Sequence, residues 1–151
     1  MAKAMHNTDF RKINVDNLDA ENYYEPEDPD TPSVGPDEEE VNNFLQRNQL
    51  KDALRCAMRN PPIRSSNQMI KDKAGQLMCR VLTSFRQSDV ASAVDSLDRE
   101  ELDLLMKYVY KGFQCQQDAA TCASLLCWHE KIHEKSGVGA IVRVFTDRKS
   151  L

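Results

Sequence analysis

Five residues that could bind a metal or act as nucleophiles lie close together near the C-terminal end of the chain: Cys115, Cys122, Cys127, His129 and His133. Their spacing is Cys-x₆-Cys-x₄-Cys-x-His-x₃-His. A structural zinc site needs paired ligands at short spacing, so that four donors can close a tetrahedron. Only the two histidines share a helical face. The spacing therefore argues against a metal site, and we assign no metal ligands.

The same cluster is a poor candidate for thiol catalysis. A nucleophilic cysteine needs a base within hydrogen-bonding reach and an electropositive, open setting. Cys127 with His129 or His133 is the only plausible pair, but residues two apart on a helix point away from each other and six apart is a poor alternative. The segment 136–139, Ser-Gly-Val-Gly, lacks the full glycine-rich spacing of a phosphate loop and is typical of a helix break. We predict no catalytic residue, no cofactor and no enzymatic activity.

Aromatic residues form the more informative group, and most of them lie on a helix predicted over 102–113, which is apolar around most of its circumference. The group consists of Tyr108, Tyr110, Phe113 and Trp128. Two interpretations stay open for these side chains: packing in the core of the chain itself, or binding of a partner protein. Both can hold for different residues. We expect Gly112 to end the helix in the left-handed conformation.

Apolar periodicity and capping residues predict seven helices from residue 36 onwards. The first helix starts at Asp37 and carries Val41, Phe44 and Leu45, and the second spans 50–58 and is ended by Asn60-Pro61-Pro62. A long helix then runs from a Ser66 cap to near Gln87, and a short one is capped by Ser88 or Asp89. Asp98 caps the central helix, Asp118 starts a helix over 119–135, and the last helix contains Val138, Ile141, Val142 and Phe145. Tight turns between them predict an all-α, antiparallel stack, either a bundle or a short αα superhelix.

The helix predicted over 119–135 has two apolar stripes and should be covered on two sides. One stripe contains Ala119, Cys122, Ala123 and Leu126, and the other contains Leu125, Trp128 and Ile132. On this pattern Cys122 should behave as a small core residue.

Charge divides the chain into a tail and a body. Residues 1–40 carry three basic and twelve acidic side chains, a net charge of −9, which leaves +5 on residues 41–151. We predict that residues 1–35 are an extended acidic tail and linker, and residues 36–151 a helical domain. The body has no dense basic run, so nucleic-acid binding is not supported. No secretory signal or membrane span is evident. The five cysteines are an odd number and show no disulfide framework, which is typical of reduced thiols in a cytoplasmic protein.

One segment of the acidic tail could dock on a folded surface. It reads Phe10-Arg11-Lys12-Ile13-Asn14-Val15-Asp16, in which Ile13 and Val15 alternate with polar residues. Such a patch can bind a partner or fold back on its own body, and the pattern does not distinguish the two.

Several strings of this sequence together resemble one family. They are Phe10-Arg11-Lys12, Val94-x-Ser96-Leu97-Asp98, the whole of 102–113, Trp128-His129-Glu130-Lys131, and Gly137-Val138-Gly139-x-Ile141-Val142-Arg143-Val144. Their order and spacing resemble the smallest subunit, subunit 5, of the actin-related protein 2/3 complex over nearly the whole chain. Positions 114–124 depart from that pattern and are rich in cysteine.

The resemblance implies a non-enzymatic structural and regulatory subunit of an assembly that nucleates branched actin filaments in the actin cytoskeleton. It selects the αα superhelix. It also implies a body that is held against subunit 4 and helps attach the β-propeller subunit, an N-terminal tail that reaches actin-related protein 2, and only indirect contact with actin. Carried onto this chain, the docking residues of the tail are Phe10, Arg11, Lys12, Ile13 and Val15. The alternative function is a free-standing helical adaptor with an acidic peptide tail.

Overall fold

The structure, a computed structural model, describes residues 35–63, 65, 67–115, 118–147 and 151. These residues form seven helices and no strand, which confirms the predicted all-α fold. The helices are α1 (Glu38–Gln46), α2 (Leu50–Met58), α3 (Gln68–Thr83), α4 (Gln87–Asp95), α5 (Arg99–Gln114), α6 (Ala119–Ser136) and α7 (Val138–Thr146). The predicted docking segment at residues 10–16 lies outside the described residues, and the boundary between tail and body stays a prediction.

Aspartate side chains begin three of the helices. The Asp37 carboxylate accepts hydrogen bonds from the backbone N–H groups of Glu39 and Glu40, and Asp118 accepts from those of Ala120 and Thr121. At α5, Asp98 accepts from the Glu101 N–H at 2.8 Å while the Glu101 carboxylate accepts from the Asp98 N–H at 3.0 Å. This reciprocal capping box satisfies two N–H groups that have no partner inside the helix. The helix starts predicted at Asp37, Asp98 and Asp118 are confirmed.

The boundaries of α3 and α4 differ from the prediction. Asn67, not Ser66, caps α3, and its side chain accepts a hydrogen bond from the Met69 N–H at 3.0 Å. The α3 helix ends at Thr83, earlier than predicted, and α4 starts at Gln87, directly after the extended Arg86. Ser88 caps nothing, since its hydroxyl donates to the Asp89 carboxylate. The predicted capping residues were wrong here because they were chosen by residue type, and Arg86 occupies the N-cap position of α4 without a side-chain hydrogen bond.

The α5 helix lies at the centre of the described body, where it packs against α2, α3, α6 and α7. Its buried side chains include Leu102, Leu105, Met106, Tyr108 and Val109. Neighbours on several sides explain why so much of its circumference is apolar. The central position expected for this helix is confirmed.

Gly112 does not end α5, contrary to the prediction. The helix continues to Gln114, and among the described glycines only Gly137 has a positive φ, of 70°. A Cβ at Gly112 would lie 2.8 Å from Cδ1 of Leu125 and 3.1 Å from Sγ of Cys79. Gly112 is therefore needed for the close approach of α6 and α3 to α5, not for a turn.

The α6 helix buries only one of its two apolar stripes. Leu125, Trp128 and Ile132 are completely buried, and the Trp128 indole donates a hydrogen bond to the backbone oxygen of Leu82 at 3.1 Å. The other stripe faces outward: Leu126 is exposed and Cys122 is half-buried. The predictions that α6 is covered on two sides and that Cys122 is a core residue are therefore wrong for the described body. The stripe that carries Trp128 buries more apolar area, which decides the rotation of the helix.

A lysine joins α6 to the end of α4. The Lys135 ammonium donates to the backbone oxygens of Val94, Asp95 and Leu97 at 2.8, 3.0 and 2.9 Å. Carbonyl groups at a helix C-terminus lack partners within the helix and carry partial negative charge, so a cation is stabilising there. None of the described helices combines the length and the apolar composition required to cross a bilayer.

Candidate functional site

The cysteine and histidine cluster is dispersed in the structure. Cys115 is exposed at the end of α5, while Cys122 and Cys127 are half-buried along α6. The rings of His129 and His133 stack on one face of α6, with centroids 6.4 Å apart. Among the described residues, no three His, Cys, Asp or Glu side chains are arranged to hold a metal ion. The structure offers these five residues no shared centre.

Two other thiols, those of Cys56 and Cys79, are buried, and burial disfavours their ionised form. Burial raises the pKa of Cys56 to about 11, helped by a hydrogen bond with Glu40, and raises that of Cys79 to about 11. A thiol needs to ionise before it can attack an electrophile. At neutral pH both groups are therefore almost entirely protonated.

The four aromatic residues singled out in the sequence divide into two pairs. Tyr108 and Trp128 are completely buried, so for them the structure favours core packing. Phe85 packs edge-on against Trp128 at 5.1 Å. The Tyr108 hydroxyl has no hydrogen-bond partner within the described residues, and burial raises its pKa. Tyr110 and Phe113 are only partly buried and remain candidates for partner binding.

The half-exposed pair belongs to a continuous aromatic surface formed by α5, α6 and α7. We call it the aromatic face, and it consists of Tyr110, Phe113, His129, His133 and Phe145. Tyr110 is its centre: its ring centroid lies 6.0 Å from Phe113, 5.7 Å from His129 and 5.1 Å from Phe145. All three contacts are edge-to-face, the arrangement that aromatic pairs prefer. Sequence reasoning missed His129, His133 and Phe145 as members, because only the fold brings α6 and α7 beside Tyr110.

The α7 helix extends the aromatic face with aliphatic side chains. Six of its nine residues are Ala, Val, Ile or Phe, yet only Ala140 is completely buried, while Ile141 and Val144 are partly buried against the core. The other large apolar side chains of α7 point outward, with exposed fractions of 62% for Val138, 51% for Val142 and 70% for Phe145. They recur at i, i+4 and i+7, so they form one outward stripe. A contiguous apolar patch on a small protein marks a site of protein contact.

Ion pairs hold α7 in this position. Arg143 donates two hydrogen bonds to the Asp103 carboxylate of α5, both at 2.7 Å, and this contact raises the pKa of the guanidinium. Lys107 of α5 pairs with Asp147, the residue that follows α7. Bidentate pairs fix orientation as well as distance. They align α7 so that its polar contacts face α5 and its apolar stripe faces away.

Comparison with known proteins identifies relatives over the whole length of the chain. Residues 9–151 match the model of the ARP2/3 complex 16 kDa subunit (p16-Arc) family. The chain is 43% identical to actin-related protein 2/3 complex subunit 5-C of Xenopus laevis over 151 residues, which covers 100% of both chains. It is 41% identical to probable actin-related protein 2/3 complex subunit 5 of Caenorhabditis elegans, covering 97% of this chain and 100% of the relative. Identity to the human subunit 5-like protein is 37%, over 100% of both chains.

Proposed function

Since the chain belongs to the p16-Arc family of ARP2/3 complex subunits, we propose that it is a non-catalytic structural and regulatory subunit of that complex and supports nucleation of branched actin filaments. Membership implies that its partners are other subunits of the complex and that it associates with the actin cytoskeleton. The observation that carries the proposal is the match with subunit 5 relatives from end to end of both chains. We also propose a cytoplasmic location, which family membership supports.

The outward stripe of α7 and the aromatic face supply a surface for another subunit of the complex. An apolar partner surface would bury Phe145 and Val142, which the described body leaves half or more exposed. Protein interfaces draw most of their binding free energy from a few such side chains, aromatic ones above all. We assign Tyr110 and Phe113 to this contact as well, because they pack around the same cluster.

Specific partners follow from the resemblance described above. The body is expected to rest against subunit 4 and to help attach the β-propeller subunit. The segment with Phe10, Arg11, Lys12, Ile13 and Val15 is expected to bind actin-related protein 2.

Two substitutions test the α7 surface. Val142→Asp with Phe145→Asp puts two carboxylates on the outward stripe, and Met69→Asp is the matched control, because Met69 of α3 is 66% exposed and lies outside the aromatic face. In cells that express tagged variants, the α7 double variant should recover at most about a tenth of the other subunits that the parent chain recovers, since losing hot-spot contacts costs about 2 kcal/mol or more. The Met69 variant should recover them fully. Equal recovery by both variants would exclude this surface from the contact.

A truncation tests the tail. Deleting residues 1–20 should leave the helix content and melting temperature of the isolated chain unchanged, and should weaken its attachment to actin-related protein 2. A large loss of thermal stability would mean instead that the tail packs on its own body.

Branching activity tests the nucleating and non-catalytic parts of the proposal. A purified complex that contains this chain should produce branch junctions in an actin polymerisation assay, whereas the isolated chain should neither accelerate polymerisation nor branch filaments. Activity of the isolated chain would overturn the assignment as a structural subunit.

A further inference from the structure

Two cysteines of the described body, Cys79 and Cys115, have no role in the proposed function. Cys79 lies near the C-terminal end of α3, and Cys115 directly follows α5. The sulfur of Cys79 reaches the backbone of α5, since a Cβ at Gly112 would lie 3.1 Å from it. A side chain at position 112 would occupy the space that the thiol now fills.

Cys115 sits on the same turn as this contact. Its backbone N–H donates to the oxygen of Gly112 at 3.3 Å, so the chain is still helically wound there. Residues three apart on a helix occupy the same side, with Cβ atoms about 5–6 Å apart. The Cys115 side chain therefore projects from the side of α5 that the Cys79 sulfur touches. Because it is exposed, it can rotate about its Cα–Cβ bond without displacing core residues.

The electrostatics agree with this placement of the two thiols on one side of α5. Burial is the main cause of the raised pKa of Cys79, and the charge of Cys115 adds to it. The Cys79 thiol is also not sealed from solvent. It forms part of a shallow polar pocket lined by Gln76, Arg80, Thr83 and Thr121.

We propose that Cys79 and Cys115 are a redox-active pair that forms an intramolecular disulfide when the protein meets a hydroperoxide. The exposed Cys115 thiolate attacks the peroxide: an S–O bond forms, the O–O bond breaks, and the leaving alkoxide or hydroxide takes up a proton. The Cys79 thiol loses its proton and attacks the sulfur of this sulfenic acid, the S–S bond forms, and water leaves. Two thiols are oxidised, and the peroxide is reduced to water, or to an alcohol and water.

The bond would join α3 to the end of α5, two residues beyond Phe113 of the aromatic face. A cytosolic dithiol would reverse it by thiol–disulfide exchange. The second step is slow at neutral pH, because the pKa of Cys79 is about 11 and only the thiolate attacks. Disulfide formation should therefore accelerate about tenfold per pH unit between pH 7 and 9 once Cys115 is oxidised.

The test treats the reduced full-length chain with hydrogen peroxide and maps its thiols by mass spectrometry. The parent chain should lose two hydrogens and yield a cross-linked peptide containing Cys79. Cys115, Cys122 and Cys127 lie in one tryptic peptide, so the mass alone does not show which of them is bonded to Cys79. The cross-link should persist in Cys122→Ser and in Cys127→Ser, which would exclude these two residues. It should disappear in Cys79→Ser and Cys115→Ser.

A second readout separates chemistry from misfolding. In Cys79→Ser, a dimedone probe should trap the sulfenic acid on Cys115, since the resolving thiol is gone. In Cys115→Ser, Cys79 should stay reduced and unlabelled, as should the buried Cys56 in every variant. A cross-link to Cys122 or Cys127, a cross-link only between chains, or failure of dimedone to label Cys115 would each overturn the assignment.

Discussion

Replacing Trp128 by Phe should separate the core of this protein from its contact surface. The substitution removes the indole N–H that bonds to Leu82 at 3.1 Å and part of a ring that is completely buried beside Phe85. A hydrogen bond contributes about 1 kcal/mol. The smaller ring gives up about 1–2 kcal/mol more, a fraction of the 3–5 kcal/mol lost when a large aromatic becomes Ala. We expect a loss of about 2–3 kcal/mol in the free energy of unfolding.

For a helical body of this size, 1 kcal/mol shifts the melting temperature by about 4 °C, so the Trp128 variant should melt about 8–12 °C below the parent chain. The matched variant is Phe145→Ala. Phe145 is 70% exposed, and its edge contact with Tyr110 contributes about 1 kcal/mol at most. It should therefore melt within about 4 °C of the parent.

The assays are thermal unfolding by circular dichroism and recovery of other complex subunits at 20 °C. The same spectra should show that both variants are folded at that temperature. The Trp128 variant should lose stability and keep its partners, whereas the Phe145 variant should keep stability and lose partners. If Phe145→Ala melts as low as Trp128→Phe, Phe145 belongs to the core and the outward orientation of α7 is wrong. If the Trp128 variant melts within 2 °C of the parent, the account of the α6 contact with α3 fails.

Three further substitutions test particular contacts by thermal or denaturant unfolding. Gly112→Ala should destabilise the protein by about 1–2 kcal/mol, because overpacking against the completely buried Leu125 exceeds the gain in helix propensity. A stable Gly112 variant would show that the helices have room to separate. Lys135→Met should cost about 1.5–3 kcal/mol, because it removes three hydrogen bonds to backbone oxygens. Its control, Lys131→Met, breaks only surface ion pairs with Glu130 and Glu134 and should leave the free energy of unfolding nearly unchanged. Equal costs would refute the α4 capping role. The pKa of Cys79 is about 11 in the folded protein, and its ordinary value is 9.0, so the thiol ionises first in the unfolded chain. The free energy of unfolding should therefore fall as pH rises from about 9 to 11, by up to about 1.4 kcal/mol per pH unit. A Cys79→Ser variant whose stability falls just as steeply would contradict this assignment.

The positions of the helices could be predicted from the sequence because each carries local signals. Apolar periodicity predicted all seven, and Asp98 and Asp118 cap the helices that they were expected to cap. Predictions failed where two signals compete within one chain segment. Gly112 permits a helix end, yet α5 continues because the glycine is buried between α3 and α6. A local pattern contains no information on that contact.

The surface was harder to predict than the fold for the same reason. Tyr108 and Tyr110 are two residues apart and equally apolar, but they lie on opposite sides of α5, and only the packed helices decide which side is core. The two stripes of α6 posed the same ambiguity, which the volume of Trp128 resolves. Phe145 joins the aromatic face from α7, a contact across 35 residues that periodicity does not reveal.

The role of this chain as a subunit is tested most directly by what travels with it in solution. Tagged full-length protein, expressed in animal cells and purified from native lysate, should elute at the size of the whole assembly. Mass spectrometry should find both actin-related proteins and the other subunits of the complex in equal amounts with it. Elution as a monomer of 17.2 kDa with no actin-related protein attached would contradict the assignment and favour the free-standing adaptor.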